Sequence, residues 1–195
     1  PFLQKSGNVK TNLKLAVNLR TIEVDAQGDF FAQRANFHYL GLNFDIYDAY
    51  VRLNNYDVKI DDMKVAYGDI ATSFVDVDYD ARTSKGSIIF NVINAKLPQM
   101  NLSLDKAPLK IVYDMSPNND TINVKKSHWK RAQTEIKIDS IVAPFDLDKL
   151  LLSVPTTYFD IKDVSNGFIS GIVNFKKLTA SLNADILKFQ YKNTK

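Results

Sequence analysis

Apolar and polar residues alternate one by one along almost the whole chain, and no other feature constrains the fold so strongly. A period of two puts successive side chains on opposite faces of an extended strand, whereas a helix needs a period of 3.6. Val9, Leu13, Leu15, Val17 and Leu19 share one parity, and Lys10, Asn12, Lys14, Asn18 and Arg20 share the other. At Ile22 and Val24 the parity flips, which predicts a bulge or bend, because a one-residue slip otherwise turns the apolar set outward.

The pattern then recurs between short turn signals. Phe44 and Ile46 lead a strand that continues on the other parity through Ala49, Val51 and Leu53, and Asn54 and Asn55 follow as a turn. Val58 and Ile60, Val75 and Val77, Ile88 and Phe90, and Leu102 and Leu104 repeat the alternation. No proline occurs between Pro1 and Lys96, as suits strands that use all their ladder hydrogen bonds. These signals predict a mainly β fold of roughly a dozen strands, a long antiparallel meander forming a curved, groove-like sheet. The 195 residues, 45% of them hydrophobic, are read as a single β-rich domain or groove section. One helix is expected against this background, over 147–153. Asp146 is a good N-cap, Leu147, Leu150, Leu151 and Val154 fall at i, i+3, i+4 and i+7, and Pro155 blocks continuation.

Composition removes several function classes. The absence of cysteine excludes disulfide scaffolds, thiolate metal sites and cysteine nucleophiles. A balance of 25 basic against 22 acidic residues gives no electrostatic case for nucleic acid. The chain opens at Pro1 with neither Met nor a signal-peptide pattern and is expected to be an excised fragment.

Catalytic and metal-binding constellations also fail inspection. A hydrolytic triad needs a histidine base, and neither His38 nor His128 sits in a nucleophile motif. Asp76, Asp78 and Asp80 resemble the start of a calcium loop, but Ala81 and Ser87 stand where that loop needs Gly and Glu. No glycine-rich phosphate motif occurs. The expectation is a non-enzyme with no catalytic residues, no metal and no cofactor. The stretch containing Lys125, Lys126, Trp129, Lys130 and Arg131 reads as a basic, Trp-bearing surface loop, able to contact lipid headgroups or a partner. The twelve Phe, nine Tyr and one Trp mostly follow the apolar parity, either as core or as the wall of an apolar cavity.

Three stretches carry a family resemblance. LNNYDVKIDDMKVAYGD at 53–69 is a strand–turn–strand unit, FDLDKLLLSVP at 145–155 ends in Val-Pro, and SNGFISGIVNF at 165–175 holds a spaced glycine pair. Together they resemble the AsmA-like (TamB/YhdP-type) family of bacterial envelope proteins. The resemblance implies a curved sheet with an apolar inner face that carries phospholipid between inner and outer membranes. It also implies a periplasmic location, anchored to the inner membrane through a segment outside this chain, with the membrane surface and envelope proteins as partners.

On that basis Leu13, Leu15, Val17, Phe44, Ile46, Val51, Val58, Ile60, Val75, Val77, Ile88, Phe90, Leu102 and Leu104 are the expected lipid-binding residues. Lys125, Lys126, Trp129, Lys130 and Arg131 are the expected headgroup or partner contacts. The alternative is a β-sandwich interaction or scaffold module that binds protein or glycan.

Overall fold

The computed structural model describes residues 3–20, 23–39, 42–117, 119–177 and 179–190. Its strands are Leu3–Asn18 (β1), Glu23–Tyr39 (β2), Leu42–Asn54 (β3), Asp57–Tyr67 (β4), Ala71–Asp80 (β5), Lys85–Leu97 (β6), Leu102–Leu104 (β7), Leu109–Met115 (β8), Thr121–Val124 (β9), Ser127–Arg131 (β10), Thr134–Ile138 (β11), Ile141–Asp146 (β12), Leu151–Ile161 (β13), Ser165–Asn174 (β14) and Thr179–Phe189 (β15). All fifteen belong to one antiparallel sheet.

The fifteen strands occupy twelve positions, because three pairs are halves of single long strands. Both β7 and β8 pair with β6, both β9 and β10 run beside them, and β11 with β12 fills the next position before β13. The result is an up-and-down meander in which each position pairs with the one before it. The breaks have local causes. Pro108 has no N–H for the ladder, and the Lys126 N–H donates instead to the Ser140 hydroxyl at 3.0 Å. Among the described residues no ladder joins β1 to β15, so these two strands are the edges.

Cross-strand partners share a face, and following them across the sheet sorts most side chains, although Phe31 with Tyr50, Ile89 with Val112 and Tyr158 with Phe168 pair on the opposite face. Val51, Ile60, Val77, Ile88, Tyr113, Ile122 and Ala143 form one continuous row. Parity flips inside strands do not break this row. Between Ile60 and Met63, β4 carries a bulge at Asp61 and Asp62, whose extra residue returns Met63 and Val65 to the apolar face opposite Val75 and Ser73. Asp62 takes a left-handed φ of 51° there, and its N–H donates to Asp76 Oδ1 at 2.9 Å. Asp48, at φ 53°, flips the parity of β3 between Ile46 and Ala49 without shifting its register against β2 or β4. The flip at Ile22 and Val24 is instead where the chain reverses, between the end of β1 and the start of β2. Ile22 itself lies outside the described residues.

The expected helix at 147–153 is absent. Residues 147–150 form a turn and 151–153 belong to β13, with Leu151 and Leu152 opposite Asp146 and Phe145. The Asp146 side chain does cap, accepting from the Lys149 N–H at 2.9 Å, but Leu150 then adopts φ 54° and sends the chain back. A helix confined between Pro144 and Pro155 falls short of the roughly 12 residues needed to sustain itself, while as a strand β13 is hydrogen-bonded on both edges. Among the described residues the helical content is a single 3-10 turn, Pro98–Met100.

The sheet is one layer thick. Substantial contacts between strands are those between ladder neighbours. The chain exposes 13363 Å² of surface, against about 9,300 Å² for a compact monomer of this mass.

Candidate functional site

The candidate site is the apolar face of the sheet. All fourteen residues expected to touch lipid lie on it. Leu13, Leu15 and Val17 come from β1, Phe44, Ile46 and Val51 from β3, Val58 and Ile60 from β4, and Val75 and Val77 from β5. Ile88 and Phe90 come from β6, and Leu102 and Leu104 from β7. The opposite face carries residues such as Lys10, Asp29, Arg52, Lys59, Asp78, Asn91 and Asp114. Ion pairs there link Arg52 with Asp61 and, at 3.3 Å, Lys59 with Asp78.

Full burial is confined to the apolar face among the described residues, while Ile89, Val112, Tyr158 and Phe168 on the opposite face are half-buried. The buried hydrophobic residues are Ala32, Ala35, Ala49, Val75, Val92, Leu109, Ala143 and Phe159, the buried polar ones are Ser127 and Thr157, and every one of these points to that side. Burial also fades toward the edges. Val75 in the middle is 2% exposed, while Leu15 on β1 is 63% exposed and Phe189 on β15 is 68% exposed.

Aromatic rings on this face reach across intervening strands. Tyr113 on β8 and Phe145 on β12 are separated by β9, yet their ring centroids lie 5.6 Å apart, edge to face. Phe145 in turn meets Phe175, just beyond β14, at 6.0 Å. Two strand spacings amount to about 9.5 Å, so these rings converge.

The stretch expected as a basic loop is mostly strand, and the alternation divides it. Ser127–Arg131 is β10. Trp129 lies on the apolar face between Leu104 and Ile136, its indole N–H donating to Ser127 Oγ at 3.1 Å. Lys130 is on the polar face opposite Glu135 and Ser103. Arg131 closes the strand opposite Thr134. Lys125 and Lys126 sit at the break between β9 and β10, and Lys126 pairs with Asp139 at 2.9 Å. His128, on the polar face, has its imidazole pushed below the ordinary histidine range by partial burial and then by Lys106, Lys137 and Lys126. The acidic run is likewise used by the fold, since Asp80 accepts from the Arg82 N–H and the Thr83 hydroxyl at 2.9 Å each in the β5–β6 turn.

A cleft of about 580 Å³, which the sequence did not announce, opens at one end of the strands, where the β5–β6, β8–β9 and β12–β13 turns meet. Its walls include Tyr79, Tyr113, Phe145, Asp120, Asp146 and Asp148. The Tyr113 hydroxyl donates to Asp120 Oδ2 at 2.6 Å, and the Ser116 N–H donates to Oδ1 at 2.8 Å. Burial, followed by the Asp120 carboxylate, pushes the Tyr113 hydroxyl well above the ordinary tyrosine range. Lys149 hydrogen-bonds Asp146 and holds its carboxyl below the usual range.

Among the described residues, no group of three or more His, Asp or Glu side chains is placed to hold a metal ion. No helix among them is long and apolar enough to cross a membrane. Comparison of the chain with protein-family models, with curated proteins and with solved structures finds no match.

Proposed function

We propose that the apolar face shelters phospholipid acyl chains, as a section of a non-catalytic, periplasmic lipid-transfer groove between inner and outer membranes. The observation that carries the proposal is burial on one face of a single-layer sheet. A flat single layer exposes both faces equally. Here the buried residues all lie on the apolar side, and rings from next-but-one strands meet there. Both facts favour a sheet curled with its apolar face inward, as the AsmA-like resemblance implies.

An uncovered apolar surface of this extent is unusual for a protein that binds nothing. Acyl chains would cover it at about 0.8 kcal/mol per methylene removed from water, without any reactive side chain. Twelve strands at about 4.8 Å spacing span on the order of 55 Å, enough for several chains side by side. The parent protein would meet the membrane surface and envelope partners outside this sheet.

Lipid extraction from the purified chain followed by mass spectrometry tests the proposal. Phospholipid recovered in near-stoichiometric amount supports it. A lipid-free protein whose apolar face is closed by association with a protein or glycan supports the interaction-module alternative instead.

A further inference from the structure

The cleft between the β5–β6, β8–β9 and β12–β13 turns has a charge and wall chemistry that the acyl groove does not explain. Three carboxylates, Asp120, Asp146 and Asp148, line it, and among the described residues no Lys, Arg or His does. Asp120 has no ion-pair partner among the described residues. The Tyr113 O–H and the Ser116 N–H, both neutral, fix its carboxylate and leave its charge uncancelled. Lys149 stands in the adjoining turn with its ammonium on Asp146 at 2.8 Å.

Three aromatic side chains, Tyr79, Tyr113 and Phe145, also line it, beside apolar residues such as Met115, Leu147 and Leu151. Aromatic faces carry negative quadrupole density and attract cations within about 6 Å. Carboxylates and rings together therefore favour an ammonium group and repel an anion. Tyr79, Tyr113 and Phe145 also belong to the apolar face, so the cleft is continuous with the proposed acyl surface.

We propose that this cleft binds the ammonium of a zwitterionic or cationic amphiphile whose chains lie on the apolar face, so that it selects among headgroups. The proposal rests on the lipid-groove function above. Ser84 and Asn119, neutral groups that also line the cleft, would face the phosphodiester of a zwitterion.

Calorimetric titration of the intact chain with dihexanoyl-phosphatidylethanolamine, dihexanoyl-phosphatidylglycerol and free ethanolamine tests it. The expected result is phosphatidylethanolamine bound about tenfold more tightly than phosphatidylglycerol, and free ethanolamine at least about a hundredfold more weakly than either. Asp120→Asn and Asp148→Asn should each shrink the lipid ratio to about threefold or less by weakening the ethanolamine lipid alone. Asp148 lies in an exposed turn, so its variant remains informative if Asp120→Asn fails to fold. Equal binding of the two lipids overturns headgroup selection and leaves the groove intact. Free ethanolamine binding as tightly as its lipid overturns the amphiphile assignment. Binding of neither lipid overturns the groove and this proposal together.

Discussion

Val75→Ala and Leu15→Ala form a matched pair that tests one-sided burial quantitatively. Both residues lie on the apolar face, but Val75 is 2% exposed between Met63 and Phe90, whereas Leu15 on the edge strand is 63% exposed. Truncating Val75 removes two buried methylene equivalents, about 1.6 kcal/mol of transfer free energy, and the residual cavity brings the cost to roughly 2–2.5 kcal/mol. Leu15 loses more atoms, but most are already in water, so its cost should stay near 0.5–1 kcal/mol. For a chain of this size about 2–4 °C of Tm corresponds to each kcal/mol. Val75→Ala should therefore lower the midpoint by about 4–10 °C and Leu15→Ala by about 1–4 °C. Thermal and urea unfolding followed by far-UV circular dichroism measure both. Equal costs, or a Val75 effect below about 0.5 kcal/mol, would refute the reasoning, because they would mean that the centre of the apolar face is no better packed than its edge.

Other parts of the sheet give further expectations. Gly171 sits at φ 153°, and a Cβ there would run into the Ser181 carbonyl oxygen; Gly171→Ala should detach β15 from β14, seen as loss of hydrogen-exchange protection over 179–189. Asp62→Gly should hold or raise stability by up to about 1 kcal/mol, because glycine adopts a left-handed φ without strain; a large loss in urea unfolding would mean that the Asp62 side chain, and not its backbone, secures the bulge. Spectrophotometric titration should find a tyrosine ionisation well above the ordinary range that is missing in Tyr113→Phe. Because the folded state holds that proton more tightly, its stabilising contribution is complete below the ordinary tyrosine pKa near 10 and is lost as pH rises through the folded value. His128 behaves in the opposite sense. Its folded pKa is depressed, so stability should fall as pH drops through the ordinary histidine range, and Lys137→Gln should move its NMR titration midpoint upward.

Much of the apolar face was legible in the sequence, since side-chain alternation is local. Val58, Ile60, Val75, Val77, Ile88 and Phe90 could be assigned to one side from spacing alone. The parity flips at Asp48 and Asp62 look like interruptions in the sequence, yet the left-handed residue at each, with a bulge at Asp62, keeps the face continuous. Leu147, Leu150, Leu151 and Val154 were misleading because a turn followed by a strand reproduces helical spacing over so short a stretch. The cap signal at Asp146 was real, but a tight turn uses the same hydrogen bond as a helix start. In the Lys125–Arg131 stretch, charge density concealed an alternation that sends Trp129 and Lys130 to opposite faces. Neither the convergence of Tyr113, Phe145 and Phe175 nor the cleft beside them could be read locally, because each depends on strands brought together from distant parts of the chain.

The central claim, that acyl chains lie on one face of this sheet, is tested most directly by photo-crosslinking from adjacent positions on a single strand. Val77 and Asp78 are neighbours on β5 and point to opposite faces. With a photoreactive residue at either site and the protein equilibrated with phospholipid vesicles, the account predicts acyl-chain adducts from position 77 and from Val58, and none above background from position 78. Equal labelling at 77 and 78, or no lipid adduct at either, would contradict it.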